Sequence, residues 1–162
     1  MHDSQGAVGN LAGGGPLMDT RPVVVGVDGG PDSLQALQWA ADYARLVDAP
    51  LVALTAYQLP TVYGPYAMAG WSDSSELESS ARHMLEGAVR DTLGEDFTVT
   101  LAVLQGHPAE AVVAASGDAR LVVLGSRGHG GFAGMLLGSV SQHVVAHALC
   151  PVLVLPHQHT AD

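Results

Sequence analysis

The stretch Leu121–Ser141 reads LVVLGSRGHGGFAGMLLGSVS. It opens with a short, apolar, β-branched run of strand length. It closes on Gly138-Ser139-Val140-Ser141, where small and hydroxylated residues favour a helix start. The glycines Gly125, Gly128, Gly130, Gly131 and Gly134 fill the turn between the two. Without a Cβ they let the chain fold tightly and let a ligand approach the backbone closely. Successive amides in such a turn converge on an anion as a nest. A helix N-terminus beyond it adds further N–H groups and a favourable dipole. A strand, a glycine-rich anion turn and a helix in that order are the signature of an open α/β sheet.

Working outward, the same alternation recurs. Arg21–Asp28, RPVVVGVD, reads as a buried strand running into the turn Gly29-Gly30-Pro31. Pro31-Asp32-Ser33 then starts a helix, with Leu34, Leu37, Ala41, Ala44 and Val47 at helical spacing. Leu51–Ala56 is a second strand. An irregular segment from Tyr57 to Trp71 follows, placed to cover a ligand. Ser74–Leu93 resumes a helical stripe through Leu77, Ala81, Leu85, Ala88 and Val89. Phe97–Val103 alternates as a third strand, and Gly106-His107-Pro108 opens a short helix that closes near Gly117. After Leu121–Leu124 and the glycine turn, a helix runs from Ser139 to Leu149. Pro151–Leu155 is the fifth strand. Strands alternating with helices predict a mostly parallel sheet with right-handed crossovers, helices on both faces. The expected organisation is a tail over 1–19, one domain over 20–157 and a second tail over 158–162. The tail at the beginning lacks a basic n-region and a continuous apolar h-region, so it does not read as a secretory signal.

Composition restricts the chemistry. The 162 residues are 48% hydrophobic, enough for one cored domain, and no apolar run reaches the length of a membrane span. A net charge of −10 disfavours nucleic acid and acidic membranes as partners. The single cysteine, Cys150, rules out an internal disulfide, fits a cytoplasmic location, and reads as a small buried hydrophobe. All six cations are arginines. With no lysine, a P-loop, a Schiff base and a kinase-type site are excluded. A phosphate site here must use amides, hydroxyls, arginine or a metal ion, and Arg127 and His129 are the cationic candidates in the turn.

Ligands of open α/β sheets sit beyond the carboxyl ends of the strands. Two such ends stand out: Gly26-Val27-Asp28 after the first strand and Gly125-Ser126-Arg127-Gly128 after the fourth. Gly125-x2-Gly128-x9-Gly138-Ser139 resembles the ATP-binding signature of the universal stress proteins, G-x2-G-x9-G-[ST]. VVVGVDGG at Val23–Gly30 and LLGSVSQHVVAHALCPVLVLP at Leu136–Pro156 are similar to that family's first strand and its last helix and strand. The resemblance implies a three-layer α/β/α sandwich, adenine nucleotide alpha hydrolase-like, whose five-stranded parallel sheet has the order 3-2-1-4-5. It implies that ATP binds with Mg²⁺. Val27 and Asp28 would lie against adenine and ribose, Ala56 against the base, and Leu124, Gly125 and Gly128 along ribose and phosphates. Gly138, Ser139, Val140 and Ser141 would hold the phosphate tail. Asp28 also has a simpler role open to it, as a turn-forming aspartate. The chain departs from the family at Gly30, where many members carry serine, and some relatives prefer another adenine nucleotide, such as AMP or cyclic AMP. The implied role is a nucleotide-dependent regulator in stress response. The alternatives are an interaction or chaperone-like module without nucleotide, and an enzyme that transfers part of the nucleotide.

Other motifs are weaker. Gly128-x-Gly130-x-x-Ala133 imitates a dinucleotide fingerprint, but it follows the fourth strand and lacks an acidic residue some 20 positions on. His143 and His147 have zinc-compatible spacing without the H-E-x-x-H glutamate, and read as an exposed helix face. His157 and His159 read as part of a polar tail. No residue marks itself as a general base, so any ATP hydrolysis is expected to be slow. Pro151–Leu155 reads as an edge strand. The resemblance implies a homodimer through it, against a monomer guarded by Pro151 and Pro156.

Overall fold

A computed structural model describes residues 19–60, 74–128 and 134–157. The expected tails, apart from Asp19, and most of the Tyr57–Trp71 segment lie outside these residues, as do His129, Gly130 and His159.

The elements follow in the order β1 (Val23–Gly26), α1 (Pro31–Leu46), β2 (Leu51–Tyr57), α2 (Ser74–Leu93), β3 (Thr100–Gln105), α3 (Pro108–Ser116), β4 (Leu121–Gly125), α4 (Ser139–His147) and β5 (Val152–Leu155). The five strands form one parallel sheet in the order β3-β2-β1-β4-β5. The α/β class and the strand order match the expectation. Parallel pairing sets the carboxyl ends of β1 and β4 side by side, and the strand order switches between them.

Two apolar layers sandwich the sheet. On one face, Val23 and Val25 of β1 pack with Ala36, Leu37, Ala40, Ala41 and Ala44 of α1 and Leu85 and Val89 of α2. On the other, Val24, Leu54, Val122 and Leu124 pack with Val112 of α3 and Val144 of α4. Alternate residues of β1 thus serve opposite faces, as strand geometry requires. The α1 stripe is more alanine-rich than a leucine pattern suggests, and this lets the helix lie close to β4. A Cβ on Gly125 would stand 2.7 Å from the carbonyl carbon of Asp32.

Some boundaries differ from the sequence reading. β1 pairs only over Val23–Gly26, although the Val27 N–H still donates to Leu54 O at 2.8 Å. β3 starts at Thr100 rather than Phe97, and its pairing with β2 begins there, opposite Val52. Phe97 packs against the core instead, with the Arg45 guanidinium 4.3 Å above its ring. α4 ends at His147, before Ala148 turns extended (ψ 148°), and the Leu149 N–H then donates to Ser116 Oγ at 2.9 Å. Cys150 is half-buried against the second layer, and its burial raises the thiol pKa. β5 is at the sheet edge, as expected, with all four side chains half-buried. Among the described residues no helix is long and apolar enough to cross a membrane.

Candidate functional site

A cavity of about 570 Å³ opens at the carboxyl end of the sheet. Ligand pockets commonly fall between about 300 and 1,000 Å³. All twelve residues singled out from the sequence line it. β1 and its turn contribute Gly26, Val27 and Asp28. β2 contributes Ala56. Leu124, Gly125, Arg127 and Gly128 come from β4 and the residues after it, and Gly138, Ser139, Val140 and Ser141 come from the start of α4. Sequence reasoning missed Ser33, Leu54, Thr55, Pro108, Val112 and Met135. Leu54 and Thr55 were in reach, since they adjoin Ala56. Pro108 and Val112 carry no local signal, because only the crossover of α3 brings them over β1 and β4.

The cavity has an apolar side and a polar end. Val27, Leu54, Ala56, Val112 and Leu124 line the first. Gly26 sits among them without a side chain, because a Cβ there would meet Leu124 Cδ2 at 2.6 Å. At the mouth, Asp28 Oδ1 accepts the Gly30 N–H at 2.8 Å, so the turn-forming role is real. The Asp28 N–H in turn donates to Ser33 Oγ at 3.2 Å, and Ser33 Oγ donates to Gly30 O at 2.9 Å. Gly29 has φ +82°, a left-handed conformation that a glycine accepts without strain. The other carboxylate oxygen of Asp28 faces Gly128, where a Cβ would come within 3.1 Å of it.

The polar end is the N-terminus of α4. Gly138 stands at the N-cap and offers no side-chain cap. The first bond along the helix is the Gln142 N–H to Gly138 O at 3.0 Å, so the amides of Ser139, Val140 and Ser141 belong to the unpaired first turn. Ser141 Oγ donates inward to Gly125 O at 2.8 Å, which ties the helix to the end of β4. Gly138 N–H donates to Ser126 O at 2.6 Å, a second tie. The Gly138 backbone (φ −70°, ψ 167°) suits any residue, and a Cβ there would make only ordinary contacts of 3.5–3.6 Å. The protein's own backbone therefore does not require glycine at this position.

The cations are distributed unevenly. Arg21 pairs with Asp19, Arg82 with Glu78, and Arg90 with Asp91. Arg120 donates to Asp19 O, and Arg45 covers Phe97. Arg127 alone among the arginines lines the cavity, and its Nε is buried without a hydrogen-bond partner among the described residues. A buried donor left unsatisfied costs about 1–3 kcal/mol, so an acceptor that reaches it would be favoured. Neutral apolar walls, an uncapped helix start and an arginine in the lining suit a ligand with a flat apolar part and an anionic part.

Outside the cavity, His143 and His147 stack on the exposed face of α4 at 4.3 Å, and no described residues form a three-ligand metal cluster. His157 departs from the expectation of a free polar tail. Its Nδ1 lies 2.6 Å from Oδ1 of the buried Asp32.

Comparison with known proteins agrees with the fold. The model of the universal stress protein family matches residues 19–156. A universal stress protein of Mycobacterium tuberculosis is 36% identical over 151 residues, covering 86% of this chain and 46% of the relative. One from Mycolicibacterium smegmatis is 37% identical over 141 residues, covering 82% and 47%. The chain thus spans about half the length of these curated relatives. Among solved structures, a universal stress protein from Lactobacillus plantarum superposes with a TM-score of 0.68 at 23% identity, covering 84% of this chain and 97% of the other. A universal stress protein solved in complex with cAMP superposes with a TM-score of 0.55 at 28% identity, covering 86% and 98%.

Proposed function

The chain belongs to the universal stress protein family, and we propose that it is an adenine-nucleotide-binding regulator that takes ATP with Mg²⁺. The observation that carries this reading is the convergence of the twelve residues, Arg127 among them, on one cavity whose polar end is an uncapped helix start. Adenine would sit among Val27, Leu54, Ala56 and Val112. The ribose would lie between Asp28 and Gly125, and the phosphates would run over Gly128 toward Gly138, Ser139 and Val140. Amides and the helix dipole supply partial positive charge there, and Arg127 supplies the one arginine charge. A net charge of −10 opposes a bare triphosphate, so Mg²⁺ on the phosphates would offset that repulsion.

The bound nucleotide would act by bridging the end of β4 and the start of α4. β5 continues from α4 and lies at the edge of the sheet with half-buried apolar side chains, which supports a homodimer through Val152–Leu155. A monomer in light scattering at micromolar concentration would remove that part. The cytoplasm is the proposed location.

A cyclic AMP site is the second reading. The similarity to a family member solved in complex with cAMP favours it, and a single cavity arginine suits a monoanion. Denaturing extraction of the purified protein, with mass identification of any released nucleotide, tests both. Calorimetric titration of the stripped protein with ATP, AMP and cyclic AMP in Mg²⁺ then ranks them. ATP binding tightest upholds the first reading, and cyclic AMP tightest replaces it with the second. A folded protein that binds none makes the glycine turn structural and leaves an interaction module.

A further inference from the structure

Asp32 is the second residue of α1 and is 6% exposed. Its side chain carries two contacts from distant parts of the chain. Ser126 Oγ, just past β4, donates to Oδ2 over a long 3.4 Å. His157 Nδ1, just past β5, lies 2.6 Å from Oδ1. An ionised carboxylate only accepts, so Nδ1 carries the proton in this contact. At that distance the bond is of the strong, charge-assisted kind.

Ser126 is the junction through which this pair reaches the cavity. Its N–H donates to Leu155 O at 2.9 Å, joining it to β5. Its carbonyl accepts the Gly138 N–H at 2.6 Å and so holds the N-cap of α4. Its neighbours Gly125 and Arg127 both line the cavity. The backbone of Asp32 also lies so close to Gly125 that no Cβ fits between them.

From this connected set of bonds we infer that His157 is a positioning residue for the phosphate end of the cavity. It fixes Asp32, Asp32 fixes Ser126, and Ser126 holds Gly138 at the start of α4. Without His157 a buried carboxylate loses its strongest partner, and it must either draw in water or turn away from the sheet. Either response loosens the Ser126–Gly138 contact and leaves an uncompensated negative charge beneath the site for phosphate. The apolar side of the cavity, built by Val27, Leu54 and Val112, takes no part in this network. The consequence for ligands rests on the nucleotide-binding reading above, whereas the consequence for the protein's own amides does not.

The test compares the wild type with His157→Ala and His157→Asn. The asparagine amide keeps an N–H donor close to the position of Nδ1. Amide hydrogen exchange, read at Gly138 and Ser126 against the core strand amides of Val24 and Val123, needs no ligand. In His157→Ala, exchange at Gly138 should speed up about tenfold, the scale of losing one charge-assisted bond, with the core amides unchanged and His157→Asn near wild type. Calorimetry with ATP-Mg²⁺ and with adenosine supplies the second arm. His157→Ala should weaken ATP about tenfold and adenosine by less than about threefold, again with recovery in His157→Asn. Unchanged exchange at Gly138, or equal weakening of ATP and adenosine, overturns the inference. If the wild type binds neither ligand, the nucleotide reading fails on its own, and the exchange arm still decides whether His157 holds Gly138.

Discussion

Replacing Gly125 by alanine separates the two reasons for which this protein uses glycine at its signature positions. An alanine Cβ at 125 would stand 2.7 Å from the carbonyl carbon and the Cβ of Asp32 and 2.8 Å from its carbonyl oxygen. These are backbone or near-backbone atoms in the first turn of α1, so they cannot swing aside as a side-chain tip would. The helix must shift, and overpacking of this kind costs about 1–3 kcal/mol. Removing the conformational freedom of a strand glycine returns about 0.5–1 kcal/mol. The net loss is then about 0.5–2 kcal/mol, which lowers the melting temperature of the 19–156 unit by about 2–7 °C. Gly138→Ala is the control within the same motif. Its backbone has φ −70°, and its new Cβ meets nothing closer than 3.5 Å. It should melt within about 2 °C of the wild type, since a substitution without strain or clash stays within about 0.5 kcal/mol. Thermal melts followed by circular dichroism, at equal protein concentration and without nucleotide, read both. A Gly125→Ala protein as stable as the wild type would refute the argument, as would a Gly138→Ala protein destabilised just as much.

Further outcomes follow from the same geometry. Arg127→Leu removes a nitrogen that has no partner among the described residues, so stability in urea should hold while ATP affinity falls about tenfold or more, the value of a charge-assisted bond to phosphate; calorimetry checks it. Ser116→Ala deletes a fully buried hydroxyl that donates to Val113 O at 2.6 Å and accepts the Leu149 N–H at 2.9 Å, and should cost about 1–3 kcal/mol in urea unfolding by orphaning that N–H. The Arg21 guanidinium, hydrogen-bonded to Asp19, lowers the Asp19 pKa from 3.8 to about 2. A carboxylate whose folded pKa is depressed contributes stability above its unfolded pKa and loses it as pH falls through the folded one. The Asp19 contribution should therefore fade between about pH 4 and 2, and acid titration of Asp19→Asn should lack that step. Burial raises the Cys150 thiol pKa, so alkylation by iodoacetamide at neutral pH should be slow in the folded protein and fast in denaturant.

How far the sequence discloses this structure depends on the range of the interaction that sets each feature. α2 was legible from Ser74 to Leu93 because its stripe through Leu85 and Val89 is local and periodic, and those two residues are buried. The start of β3 was not, since Phe97 and Val99 alternate as well as any strand residues. Their exclusion shows only in the pairing of β3 with β2, which begins at Thr100 and Val52. The alanine stripe of α1 was only partly read, because small residues signal close approach weakly when the approaching strand is not known. The cavity shows the same division. Its glycine turn and the ends of β1 and β2 are contiguous patterns, and their residues meet because a parallel sheet brings carboxyl ends together. Pro108 and Val112 arrive by a crossover and leave no mark on their own stretch. The contact between Asp32 and His157 spans 125 positions. Each end had a sufficient local explanation, a helix start for one and a polar tail for the other, so neither sequence context announced a partner. A buried carboxylate must find a donor, but that demand becomes visible only when the sheet order has placed β5 beside β4 and β4 against the first turn of α1.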